Sequence, residues 1–368
     1  MQLKTRLKKC NVMRTMKHLI VITVTLLLSI LTCGAQTLLM EEEAPDSTIA
    51  VIGYFCKNDS MKFHKSYSKI KIVESDTTIT EAYTEDFLIV VTDSTSMGYR
   101  MKLIPQGFEY SEESDSIHRI MQSKLSELTK DFVCEFTTDE LGCVQSITNW
   151  REIRDKMKIA TKGMCDTLYS AMPGLDSIMP RKRIENMVML KMLTEEGVRS
   201  SYDELEILFG MHGNLVAIGD REMDDTENGF PQHITSRIGY TAIEDEENEF
   251  DGDYAIFAKT VTTIPAEDAI DLGLGALGLL MTDAAGDTIA NHRKDMLEPL
   301  KTAMPDGLAI TNCEYYMYFF NGWPKECFRQ KMTDFGLGKH IETTRIEWTM
   351  RRWNLVVSEN EEQPSNKI

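Results

Sequence analysis

The sequence predicts an α+β fold: a large antiparallel β-sheet with helices packed on one face. Two observations lead there. Runs with apolar residues at every second position recur along the chain, joined by short turn-forming groups, as in antiparallel strands with one buried face. Segments with apolar residues at helical spacing are inserted between these runs in blocks, not in strict β-α alternation, which argues against a parallel sheet.

From about residue 62 to 110, Ile70 and Ile72, then Phe87, Ile89 and Val91, then Tyr99, Met101 and Leu103 alternate with polar or smaller neighbours. Glu-Ser-Asp at 74–76 and Asp-Ser-Thr-Ser at 93–96 supply the turns of a meander. Ile117, Ile120, Met121, Leu125, Leu128 and Phe132 follow helical spacing, with Ser114 or Asp115 placed to cap. Segments 132–136 and 143–147 read as a hairpin around Asp139 to Gly142.

A helical insertion is expected over about 150–196, interrupted by Pro173 and Pro180. In it Ile153, Met157, Ala160, Met164 and Leu168 form an apolar stripe, expected to pack on the sheet. Strand patterns return at 205–218, 254–264, 308–320 and 340–350, with a helix expected at 287–302. Residues 36–61 read as a flexible lead-in, 62–357 as a single α+β domain and 358–368 as a disordered tail.

The N-terminus explains the compartment. Lys4, Arg6, Lys8, Lys9, Arg14 and Lys17 precede an uncharged apolar run at 19–31, and Cys33-Gly-Ala follows. That order is a secretory signal over residues 1–35, with cleavage after Ala35. The 13-residue run is shorter than the roughly 20 residues a membrane-spanning helix needs, and no later stretch is long and apolar enough. The expectation is an exported protein, periplasmic or extracellular, with no transmembrane helix in the mature chain. A lipid anchor on Cys33 is the rival reading; Thr32 occupies the position where a lipobox carries Gly, Ala or Ser.

Cleavage removes six basic residues and takes the net charge from −18 to −24. So acidic a surface repels nucleic acid, whose recognition rests on Lys and Arg neutralising phosphates, and it disfavours anionic membranes. Cys56, Cys134, Cys143, Cys165, Cys313 and Cys327 remain. Outside the cytoplasm an even count permits disulfides, and at least one is expected among Cys134, Cys143, Cys313 and Cys327. Buried free thiols are the alternative.

The chemical motifs dissolve on inspection. Gly273-Leu-Gly-Ala-Leu-Gly278 spells the dinucleotide fingerprint but lacks the preceding strand and the β-α-β setting. The acidic runs 220–227 and 244–253 fail the Ca²⁺-loop register, because position twelve falls on Thr235 or Ala258. They read as solvated acidic loops. His64, His118, His212, His233, His292 and His340 show no zinc spacing. Ser66-Tyr-Ser-Lys69 matches the SxxK of penicillin-binding enzymes but sits in strand-patterned sequence without the partner motifs. No catalytic, metal or cofactor-binding residue is nominated, and no cofactor is expected.

Asp46, Asp59, Asp76, Asp93, Asp115, Asp166, Asp176 and Asp287 are each followed by Ser or Thr and then by Thr or an apolar residue. Ordinary composition gives roughly one or two such triplets. They resemble the O-glycosylation acceptor of exported Bacteroidota proteins, and they also suit turns and helix caps. Together with Gly34-Ala-Gln36, Val91-Thr-Asp-Ser-Thr-Ser-Met-Gly-Tyr99 and Tyr318-Phe-Phe-Asn-Gly-Trp-Pro324, they make the chain similar to uncharacterised exported proteins of Bacteroidota. The resemblance implies long antiparallel strands and a cell-envelope location, and brings no catalytic residue. The functional expectation is a non-catalytic envelope protein that binds a ligand or an envelope partner. A hydrolase assembled from residues distant in sequence, around His212, His233 and neighbouring acids, is the alternative.

Overall fold

The computed structural model describes residues 47–111, 130–227, 229–241, 252–272, 307–336 and 338–354, apart from 173, 178 and 270, with isolated positions between them. Its elements are β1 (Thr48–Ala50), β2 (Ser60–Val73), β3 (Asp76–Thr95), β4 (Gly98–Tyr110), β5 (Cys134–Thr138) and β6 (Val144–Ile147), then α1 (Trp150–Ala171), α2 (Arg181–Lys191), α3 (Glu195–Arg199) and α4 (Asp203–Phe209). Strands β7 (Leu215–Ala217), β8 (Gly219–Glu227), β9 (Phe230–Tyr240), β10 (Tyr254–Ile264), β11 (Leu308–Tyr318), β12 (Pro324–Asp334) and β13 (Lys339–Arg352) complete the chain.

Eleven strands form one antiparallel sheet in the order β6-β5-β4-β3-β2-β13-β12-β11-β10-β9-β8. Neighbours in the sheet are neighbours in sequence except at its centre, where β2 pairs with β13 from Ser60↔Arg352 to Ile72↔Lys339. Two meandering wings therefore meet where the first and last long strands join.

The sheet curls. A flat sheet would hold β4 and β12 about 19 Å apart, at about 4.8 Å per strand. Yet Tyr99 on β4 reaches Trp323, beside β12, through the single ring of Phe55, with centroid separations of 5.0 and 4.7 Å. Phe136 on β5 likewise reaches Tyr318 on β11 through Phe209 and His212 alone. Sheets of this width bend round their own core.

The segment 47–59 plugs the curl. β1 pairs with β7, Gly53 N–H donates to the Leu141 carbonyl, and Tyr54 N–H donates to that of Asn321. Val51, Phe55 and Asp59 are buried. The carboxylate of Asp59 accepts the backbone N–H groups of Cys56 at 2.8 Å and Asn354 at 2.6 Å, tying the two ends of the domain together. From Ser47 onward, the lead-in expected over 36–61 is thus part of the core, because its apolar residues fill the space the curled sheet encloses.

Other departures have equally local causes. The strand expected over 205–218 is helix α4, a turn and the short β7. Leu205, Ile207, Leu208, Phe209 and Met211 are all buried, and a run apolar on every side carries no period to separate helix from strand. The acidic stretch 220–227 is no loop but edge strand β8. Its carboxylates are met by β9, where Arg237 holds Asp220 at 2.7 and 2.9 Å and His233 lies between Glu222 and Asp224. Strands β8, β9 and β12 escape the sequence pattern because their inward positions hold polar groups such as Gln232 and Arg329.

None of the six described cysteines is bridged. Cys327 faces Tyr316 across β11 and β12, three positions from Cys313, so the two thiols point to opposite faces of the sheet. Cys134 opens β5, whereas Cys143 closes the turn at its far end, about 17 Å along the strand direction.

The helical insertion forms as expected, with its stripe shifted. Ile153, Ala160, Thr161 and Cys165 are buried, while Met157, Met164 and Leu168 are half-buried. α1 packs against β5, α2 and α3. Its start is fixed to the sheet by Asn149, whose side chain accepts from Glu135 N–H and donates to the Val133 carbonyl, both at 2.9 Å. Half of the expected 117–132 helix, the 273–278 glycine motif, the 287–302 helix save Thr302, residues 1–35, His118, His292, most of 244–253 and the 358–368 tail lie outside the described residues.

Candidate functional site

Alternation along β2 places Met61, Phe63 and Lys65 on the inner face, all buried. Lys65 therefore brings a cation into an apolar row, with only 2% of its side chain exposed. Helix α4 answers it. Asp203 and Glu204 begin the helix, where carboxylates are favoured. Lys65 Nζ donates to Asp203 Oδ1 at 3.0 Å and to Glu204 Oε1. Glu206 of the same helix pairs with Arg329 on β12 at 3.3 Å, and Arg329 also donates to the Tyr316 hydroxyl at 3.0 Å. α4 thereby fastens to both wings.

The electrostatics follow from burial. Desolvation alone would lower the Lys65 ammonium pKa, but Asp203 and Glu204 outweigh it and hold the pKa well above the ordinary value. Burial and the charge of Asp203 push Glu204 up to about 8. Burial also works on half-exposed Asp203, but Lys65 outweighs it and leaves that carboxyl below the usual range. Glu85, opposite Lys65 on β3, is raised by burial and by Asp203, against the pull of Lys65.

A cavity of about 500 Å³ opens beside this cluster, between β2–β4, Met157 of α1, and residues 130–132 and 201–204. Tyr83, Phe108 and Tyr110 line its sheet side. Tyr83 stacks at 4.9 Å on Phe108 and, away from the lining, on Tyr67, and Tyr110 lies 4.5 Å from Phe108. The pairs Tyr67↔Tyr83 and Tyr83↔Tyr110 are directly opposite in register, the geometry in which cross-strand side chains touch. Gln106 is the extra residue of a bulge between Phe87↔Pro105 and Asp86↔Gly107, and it lies exposed in the cavity lining. Tyr83, Tyr202 and Glu85 line the cavity, and none of these side chains makes a hydrogen bond among the described residues.

The residues weighed from sequence do not converge. His64 bonds Asp86 at 2.8 Å on the opposite face of β2 from Lys65. His233 lies exposed on β9, and His340 is buried on β13. His212 is sealed among Phe55, Phe209 and Tyr318. Ser66 and Lys69 sit three positions apart on β2, hence on opposite faces, and Lys69 is taken by Glu342 at 2.7 Å. Among the described residues no three His, Cys, Asp or Glu side chains are grouped to hold a metal ion. No helix there is long and apolar enough to cross a membrane.

No protein-family model and no curated protein matches the chain. Among solved structures it is similar to lipovitellin, described for its lipid–protein interactions, at 8% identity and a TM-score of 0.37. That match covers 83% of this chain, which spans only 26% of the lipovitellin chain. An outer membrane lipoprotein-sorting protein domain of Vibrio parahaemolyticus matches at 10% identity, 82% and 88% coverage and a TM-score of 0.13. A DUF1329 family protein of Desulfovibrio piger gives 8%, 81% and 88% coverage and 0.12. Likenesses at this level bring no function across; the cavity is the feature with chemistry to interpret.

Proposed function

We propose that the protein is a non-catalytic binding protein of the cell envelope that holds one amphiphilic small molecule in this cavity. The observation that supports the reading is the combination of an aromatic and apolar wall with a single buried ionic cluster at one end. Its volume falls in the range of small-molecule sites, which are mostly apolar with a few placed polar groups. The lysine at its end is engaged by two carboxylates and is not free to act as a base or nucleophile. In this reading the helices cover the inner face of the sheet and close the cavity, and the basic, apolar and small-residue order of 1–35 directs export.

The test is uptake of the neutral fluorophore N-phenyl-1-naphthylamine by the purified mature protein. Micromolar binding is expected, weakened at least tenfold in Met157→Trp, which fills the cavity. A wild-type protein that takes up no fluorophore, and carries no extractable amphiphile when isolated from its host, would overturn the reading.

A further inference from the structure

Resting on that reading, we infer that the cavity takes up its ligand together with a proton, which Glu204 receives as the ligand excludes solvent from it. The geometry of the cluster carries the inference. Glu85, Asp203 and Glu204 line one end of the cavity around a single ammonium group, Lys65. Lys65 and Glu204 are withdrawn from water, with 2% and 10% of their side chains exposed, whereas Asp203 is half-exposed. Carboxylates crowded round one cation away from water do not all ionise, so the set retains a proton. Asp203, the most solvated, is the one that gives its proton up, and Glu204 keeps the one that remains.

The other groups around Glu204 leave that balance in place. On its own helix, Glu206 pairs with Arg329 of β12, whose charge is shared with Glu314 of β11 at 3.2 Å. On β3, Glu85 has neither a hydrogen bond nor an ion pair within 4 Å among the described residues, and its charge adds to that of Asp203. Burial keeps Tyr83, Tyr202 and the Cys134 thiol protonated far above neutral pH. Lys130 and Asp131 line the cavity from exposed positions, where solvent screens both. α1 contributes uncharged Met157 to the lining. A ligand that fills the cavity takes solvation from Glu204, and desolvation favours the protonated carboxyl further. Lys65 opposes the rise, but its charge is shared with Asp203. The coupling needs no charge on the ligand.

The experiment measures binding of neutral N-phenyl-1-naphthylamine to the purified mature protein from pH 6 to 9. If binding raises the Glu204 pKa by about one unit, affinity is about fivefold lower at pH 9 than at pH 7 and nearly flat below. Calorimetry at pH 8, in buffers of different ionisation heat, should then find about 0.4 proton taken up per ligand. Glu204→Gln should abolish both effects. Binding with no proton exchanged, or with a proton released, overturns the coupling and leaves the binding site standing. So does an unchanged pH profile in a folded Glu204→Gln. Failure to bind at any pH overturns both. The calorimetry on the wild-type protein decides the matter even if the variant fails to fold.

Discussion

Two of the basic side chains buried in the core, His212 and Lys65, are accommodated in opposite ways. His212 packs among the rings of Phe55, Phe209 and Tyr318, and Nε2 donates to the Gly322 carbonyl at 2.9 Å while Nδ1 finds no partner among the described residues. Burial drives its pKa down to about 4, so the imidazole stays neutral. Lys65 keeps its charge because helix α4 delivers two carboxylates to it. A weak base can shed its proton to fit an apolar core, whereas an ammonium group with a much higher intrinsic pKa is more readily paired. The neutral solution permits a sealed core; the charged one requires extra polar groups, and the space beside them is where the cavity opens.

The sharpest way to break this contrast is Lys65→Met. It strands Asp203, Glu204 and Glu85 without their cation, and a loss of about 3–5 kcal/mol in urea unfolding is expected. Adding Glu204→Gln should recover part of it. A single-variant loss below about 1 kcal/mol would mean the cluster is not buried as described.

At the other end the test is pH. Folded His212 binds its proton only near pH 4, while the unfolded chain takes one near 6.5. Between those values the unfolded state holds more protons, so the contribution is full above about pH 6.5 and is lost as pH falls toward 4. The gap amounts to about 3 kcal/mol. His212→Gln should flatten this part of the stability profile; an unchanged slope would assign it to other groups.

Packing around His212 gives the third test. Gly322 has φ +79°, and a Cβ there would lie 2.1 Å from the Ile52 carbonyl oxygen. Gly322→Ala is expected to cost at least about 2 kcal/mol, because it adds a backbone collision to left-handed strain. The cavity wall should be more forgiving. Met157 is half-buried, so Met157→Asp should cost about 1–2 kcal/mol, and exposed Lys158→Asp within about 0.5 kcal/mol. Equal losses at Gly322 and Met157, read as midpoints of thermal unfolding, would erase the distinction between a sealed end and an open one.

No residue of the candidate site was nominated from the sequence, although one signal for it was there. Met61, Phe63, Lys65 and Tyr67 share one strand face, and a lysine in that row is a signal that period-two reading can catch. Its partners are 138 and 139 residues away, and no spacing rule links Lys65 to Asp203 and Glu204. The aromatic ladder hides in the same way. Tyr67, Tyr83 and Tyr110 stand in line only because the register of two hairpins, with one bulge in the first and two in the second, aligns them.

By itself the sequence determined the antiparallel meander of β2–β4, the β5–β6 hairpin around Asp139 and the helical block after Asn149, because these depend on local periodicity and turn chemistry. Only the tertiary structure decided that β13 pairs with β2, that the sheet curls round residues 47–59, and that α4 rather than a strand carries the acids to Lys65. Those outcomes depend on contacts between segments far apart in the chain. Leu205, Ile207, Leu208 and Phe209 of α4 are buried within the curl, a condition that exists only once the sheet has formed.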